Sequence, residues 1–498
     1  MLTLTRTLHN NFNFSIKEIL RDFLQLSLLF VLAIYFVYYA PSLLNKVFFA
    51  ITLVLFYKSK KDYIWFTFVF LLIMCPGSLF RIISDSNHNI PKIGFGSGLE
   101  LGYFGFFVLL AFIKALFKKG KKINSLFKHQ YKWLLFYFFF LNVISVFYGV
   151  NLSLFIVYLK TFLTYTLFYS LPILIPKSKN WFKHALLFSP FVILIFISQL
   201  YNIFQGHLMI HFFLGNTEFI SETFGRVVDG AVDIRPTGYH DEYVYLVLLM
   251  CLILLNVLKN KILRLITVIS LVFSIIVVVI SASKAPIIVF MFVIFGYFLT
   301  QKTGLIKLYK QLVIIIGISA IVIVTVPQIS KSFNYTLERF TKLVEFSQGN
   351  FQNENRFQNR LPKVLEVAFT NPITGVGFSE KFVSSYPGGG QMGEYHVGTI
   401  NLIANAGIIG FILFFLFVIR FYQVVKLTKR KSKDKYVKSI FNILLLGFLG
   451  IIIINSSSYQ LIGYVLSNRQ FFFLALFVSF TEVFINELNN KRSISQAK

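Results

Sequence analysis

Apolar runs recur along the whole chain, separated by short polar turns. They fall near residues 23–40, 43–57, 63–80, 97–117, 132–149, 153–175, 183–204, 242–258, 263–281, 285–300, 311–327, 396–419, 439–455 and 470–487. As helices, most are long enough to cross a hydrocarbon layer about 30 Å thick. A membrane barrel would show short segments of alternating polarity instead. The pattern predicts an all-α polytopic integral membrane protein with 12–14 transmembrane helices. The run at 43–57 is short and reads either as a crossing or as a hairpin partner. One polar stretch, 328–395, interrupts the rhythm as a large loop before the third-last helix. A loop of that length between apolar helices is usually functional or disordered. Its cations are offset by few acids, and it leads into a helix pattern, which favours function.

The turns alternate in charge. One set holds Lys58 to Lys61, Lys118 to Lys122, Lys177-Ser-Lys179, Lys259-Asn-Lys261, Lys302 to Lys310 and Lys426 to Lys438. The N-terminus and Lys491-Arg492 belong with it, so the positive-inside rule predicts both termini in the cytoplasm. Loops 205–241 and 328–395 are then expected outside. The regions read as N-terminal membrane helices (1–204), a catalytic region containing both outer loops (205–427) and C-terminal membrane helices (428–498).

Composition agrees. Of 498 residues 56% are hydrophobic, with 62 Phe, which excludes an ordinary soluble domain. A net charge of +28 would point to nucleic acid in a soluble protein. Here the cations flank helix ends, so the expected partners are anionic membrane lipids and no nucleic acid. The two cysteines, Cys75 and Cys251, lie in apolar runs and imply no disulfide framework. The first 21 residues show no cleavable signal pattern and read as an amphipathic segment lying on the membrane.

Candidate chemistry gathers at the outer ends of the runs. Loop 205–241 carries Arg226, Asp229, Asp233 and Arg235, then His240-Asp241-Glu242. An Arg offers a planar fork of donors that suits phosphate, or it pairs with a neighbouring acid and caps a helix. Lys284 stands in the tight turn Ser281 to Pro286, as a phosphate ligand or as a snorkelling interface residue. Arg356, Arg360 and Lys363 are spaced i, i+4, i+7 and would form a cationic stripe on a helix, whose start Asn359 and Pro362 place close by. Asn371-Pro372 should end that helix. Gly375-Val-Gly377 lacks the strand of a dinucleotide fingerprint and reads as a turn. His396 opens the next run, sharing a helical face with Thr399, Ile403, Gly407 and Gly410, while Asn401 and Asn405 share another. Lys160 lies within a run, either functional or snorkelling. His207 and His211 lack the acid of a zinc-protease helix. No nucleotide motif, catalytic serine order or metal cluster is apparent, so no cofactor is expected. Chemistry outside the cell requires a pre-activated substrate. A lipid-linked diphosphate qualifies, because its leaving phosphate is an anion that Arg and Lys stabilise.

The order Arg235-Pro-Thr-Gly, Ser281-Ala-Ser283-Lys284, Asn355-Arg356, Pro372-Ile-Thr-Gly375-Val-Gly377 and His396 to Gly410 resembles the O-antigen polymerase and ligase superfamily, with its Wzy-like polymerases and WaaL-like ligases. The resemblance covers about 225–415. It implies metal-free glycosyl transfer from undecaprenyl diphosphate-linked oligosaccharide at the outer side of the bacterial cytoplasmic membrane. It also implies that Arg226, Arg235, Lys284, Arg356 and Arg360 hold the diphosphate and that His396 is the base on the acceptor hydroxyl. A chain-length regulator and a flippase are the further partners it implies. Two positions depart: Lys284 stands where Arg is usual, and Asn405 where an acid often precedes the final glycine pair. The leading reading is a polysaccharide polymerase, with a ligase-type transfer to lipid A core or another acceptor as the alternative. A lipid-linked oligosaccharide flippase is the rival from another class; it predicts midplane charges, discontinuous helices and repeat symmetry.

Overall fold

The structure, a computed structural model, describes residues 14–74, 92–94, 100–118, 128–149, 163–205, 225–228, 231–234, 241–281, 284–300, 361–377, 398–432, 434–457 and 468–496, with isolated positions at Gly317, Thr325, Ser330, Asn334 and Leu337. The run expected at 311–327 and most of loop 328–395 lie outside these residues. Within them the fold is all-α and polytopic, apart from two short hairpins. Six helices are long and apolar enough to span a membrane, and six shorter apolar helices accompany them.

Local sequence sets the helix ends. α1 (Ile16–Tyr38) stops before Pro41, and α2 (Ser42–Lys58) begins directly after it. Proline disfavours helix in the residue before it and pre-sets the backbone for a helix start. Phe36 of α1 stacks on Phe48 of α2 at 4.5 Å between ring centroids. α3 (Asp62–Met74) is buried on every side, as its unbroken apolar sequence requires. The pair β1 (Lys92–Gly94) and β2 (Glu100–Gly102) leads into α4 (Tyr103–Phe117), followed by α5 (Lys128–Phe147) and α6 (Leu167–Leu174).

The run expected as one span at 183–204 is one continuous span, in which α7 (Ser178–Phe188) passes through a 3₁₀ turn at Ser189–Phe191 into α8 (Val192–Gln205). Pro190 has no amide to donate to Leu186 O, and the turn around it carries side-chain bonds besides the backbone ladder. Ser189 Oγ donates to Ala185 O at 2.6 Å, and Tyr243 Oη donates to Phe188 O at 2.6 Å. The second hairpin, β3 (Gly225–Val228) with β4 (Ala231–Ile234), precedes α9 (Asp241–Val257).

α9 occupies the centre: Tyr243 through Leu254 are all buried. Around it pack α7, α10 (Lys261–Ile280), α14 (Lys435–Ser457) and α15 (Asn468–Gln496). α11 (Lys284–Thr300) lies on α14, α12 (Leu361–Thr370) on α13 (Gly398–Lys431), and α13 on α5 and α14. α10 is capped by Asn260, whose Oδ1 accepts from Ile262 N at 2.9 Å and Leu263 N at 3.3 Å.

Among the described residues, Lys61, Lys114, Lys118 and Lys183 gather at one end of the N-terminal helices. There the cations do more than face lipid. Lys61 Nζ lies 2.6 Å from Asp22, which also accepts from Tyr63 Oη at 2.5 Å. Asp62 receives Lys114 at 2.5 Å and Lys118 at 3.1 Å. Lys183 pairs with Glu18. Ser178 donates to Glu487 from its backbone at 3.0 Å and from its hydroxyl at 2.5 Å. The chain's few acids thus tie together the lysine end of its N-terminal helices and α15.

Candidate active site

In an antiparallel bundle the start of α9, Lys284 and the start of α13 fall at the end opposite Lys259–Lys261 and Lys426–Lys438, and the β3–β4 hairpin precedes α9 in the chain. At that end α13 is broken. Gly407 has φ +58° and ψ −166°, which ends one helical piece and starts another. From Ile408 to Val425, 18 residues at 1.5 Å each, the helix runs about 27 Å before its lysine-rich last turns. That length is close to the thickness of a hydrocarbon layer of about 30 Å.

A strap, Asn371 to Gly377, fills the break. In an unbroken helix the Ile408 and Ile409 amides would donate to Ala404 and Asn405. Here they donate to Pro372 O at 2.9 Å and Ile373 O at 3.2 Å. The abandoned carbonyls accept from the strap: Val376 N reaches Ala404 O at 3.1 Å and Gly377 N reaches Asn405 O at 2.8 Å. Two helical hydrogen bonds are exchanged for four between segments. Such full pairing is what a lipid-facing environment demands of a broken helix.

Glycines make the approach possible. A Cβ on Gly375 (φ +66°) would overlap the Asn405 carbonyl, and one on Gly407 would overlap Ile373 O. A Cβ on Gly377 (φ +61°) would lie 2.6 Å from Ser145 N, so the strap also abuts α5. Its other end is held by Tyr148, just past α5, whose hydroxyl donates to Asn371 Oδ1 at 2.7 Å. Asn405 is fully buried at the junction. Below it Tyr137 of α5 meets Gly410 and packs on Phe414 with ring centroids 5.7 Å apart.

Residues 269–415, from within α10 to within α13, match the model of a family described as O-antigen ligase. This match supports the O-antigen polymerase/ligase superfamily for the region. The match covers less than a third of the chain and supports O-antigen-related glycan transfer by a multi-pass membrane protein. No curated protein matches the chain significantly.

The superfamily region contains Lys284, Arg356, Arg360 and His396, the strap and the break; Arg226, Arg235 and α5 precede it. Lys284 is the first residue of α11, after Ser281 closes α10 by donating to Val278 O at 2.7 Å. Arg226 lies on β3, opposite Asp233 of β4 in the register. Lys363 falls in the first turn of α12, directly after Pro362. Arg235, His240, Arg356, Arg360 and His396 lie outside the described residues, as do Lys160, His207 and His211. Two sequence readings need correction. Gly375-Val-Gly377 is more than a turn, since its amides complete the hydrogen bonding of α13. The face counted from His396 to Gly410 does not persist, because the helical phase is interrupted at Gly407. The sequence reading also missed Tyr148 and Ser145, whose roles depend on a partner more than two hundred residues away.

Proposed function

We propose that this protein is a glycosyltransferase at the outer face of the bacterial cytoplasmic membrane, polymerising undecaprenyl diphosphate-linked oligosaccharide repeat units into a surface polysaccharide. One observation carries the reading: the superfamily match takes in Lys284, Arg356, Arg360, His396, the strap and the helix break together. The positive-inside rule puts the lysine end in the cytoplasm and the break outside. ATP is not at hand there, and a lipid diphosphate supplies the activated bond.

In the proposed reaction an acceptor sugar hydroxyl attacks the anomeric carbon of the donor glycan. The carbon–oxygen bond to the diphosphate breaks, and the lipid diphosphate leaves with the electron pair. Arg226, Arg235, Lys284, Arg356 and Arg360 neutralise that charge. His396 takes the acceptor proton, and its unperturbed pKa near neutrality suits it as a base. No metal is assigned a role. A flippase would deliver repeat units, and a chain-length regulator would limit the product.

The matched family's description favours a second reading, transfer of a finished glycan to lipid A core or another acceptor. A flippase or other transporter would also contain a discontinuous helix. In α13 the broken ends are hydrogen-bonded to the strap rather than left to line a path, which favours an anchored loop over a conduit. Glycans from cells lacking the protein separate the first two readings. Single repeat units on the carrier lipid support the polymerase; long unattached chains support the ligase.

A further inference from the structure

Tyr148 stands outside the superfamily match, yet its hydroxyl donates at 2.7 Å to Asn371, the residue at which α12 ends and the strap begins. Asn371 then turns the chain, its carbonyl accepting from Gly375 N at 2.8 Å. The strap goes on to hold both sides of the break in α13 through its four hydrogen bonds. The short piece of α13 before the break, Gly398 to Ala406, begins two residues after His396 in the sequence. Gly407 frees this piece from the direction of the rest of α13, so its angle is set by its packing and by the strap's hydrogen bonds. One side chain just past the end of α5 therefore anchors the chain of contacts that leads to the segment following His396.

We propose that Tyr148 is a positioning residue for the transfer reaction: through Asn371 it fixes the strap, and through the strap it fixes the 398–406 helix. The proposal rests on the glycosyl-transfer reading for its effect on rate, though not for its effect on the strap. Tyr148 acts through other residues and touches no reacting atom in this account. A small change in angle at the head of α13 is enough to matter, since misplacing a reacting group by about 1 Å costs up to about a hundredfold in rate.

Tyr148→Phe removes the hydroxyl and keeps the ring. Purified protein in vesicles is assayed with lipid-linked repeat units, together with amide hydrogen exchange at Ile408 and Ile409. The expected result is a kcat at least about tenfold lower, with KM for the lipid-linked donor within about twofold. Exchange at Ile408 and Ile409 rises, and melting behaviour is near wild type. Asn371→Asp keeps an acceptor oxygen for Tyr148 and retains most activity, whereas Asn371→Leu loses it. The Tyr148→Phe, Asn371→Leu pair is no worse than Asn371→Leu alone, because both break one link. Wild-type turnover and wild-type exchange in Tyr148→Phe overturn the proposal. So does a parallel loss of melting temperature, donor binding and turnover, which marks a merely structural tyrosine. If the wild-type protein transfers nothing while Tyr148→Phe still loosens Ile408 and Ile409, the transfer reading fails and the strap anchor stands.

Discussion

The Ile408 amide donates to Pro372 O at 2.9 Å instead of to Ala404, whose carbonyl accepts from Val376 N at 3.1 Å. This exchange makes the strap and the helix break one unit. It places irregular backbone near the membrane edge without leaving its polar groups unpaired.

Gly407 should be intolerant of any side chain. Its φ of +58° with ψ of −166° is essentially glycine-only backbone, costing another residue about 1–3 kcal/mol before any clash. A Cβ would also overlap Ile373 O. Gly407→Ala should lower the melting temperature of detergent-purified protein and reduce its folded yield. Gly102→Ala should do neither, since nothing lies within 4 Å of a Cβ there.

At the lysine end, Asp62 is 2% exposed and serves both Lys114 and Lys118. Asp62→Asn leaves the 11%-exposed Lys114 without its counter-charge, a loss of about 3–5 kcal/mol for a buried pair broken on one side. The double variant Asp62→Asn, Lys114→Met should recover part of that loss. Thermal melts of the three proteins check the order.

Helix boundaries were legible because their signals are local. Pro41, Asn260 and the lysine turns act within a few residues, and the expected spans at 242–258 and 263–281 agree with α9 and α10 to within two residues. Two local signals were passed over: Pro190 inside 183–204, where the 3₁₀ turn falls, and Asp229-Gly230, a turn pair between β3 and β4. Gly407 was ambiguous. A glycine in an apolar run reads the same whether it admits a neighbouring helix or breaks its own. What decides is the strap, which has to reach back to Ala404 and Asn405. Asn371-Pro372 marked a helix end, but the pairing of Tyr148 with Asn371 carried no signal, since 223 residues separate them. The charge alternation showed where cations collect, though not that Asp22, Asp62 and Glu18 would neutralise several of them.

Topology is open to labelling. A cysteine at Gly389 should react with an impermeant maleimide added outside intact cells, and one at Lys435 should not. Lys435 is an exposed position on the lysine end, better suited than the nearby Ser432, which is 3% exposed. Native Cys251 is buried and adds little background.

The proposed diphosphate clamp would depend on shape as well as charge. Arg235→Lys and Arg356→Lys each keep the charge but lose the two aligned donors of a guanidinium. Each should abolish most activity in membranes at matched protein level, while Lys284→Arg is tolerated. Normal polymerisation by both Lys variants would remove these arginines from the clamp.

The central claim is that the far end of the bundle moves a glycan from a lipid diphosphate to a sugar hydroxyl, with His396 taking the proton. The direct measurement is transfer by purified wild-type and His396→Ala proteins supplied with lipid-linked repeat units, at equal folded amounts. The account predicts extended glycans on the carrier lipid from the wild type, donor binding in both proteins, and a rate about 10²–10⁴-fold lower in the variant. Wild-type turnover by His396→Ala would contradict it.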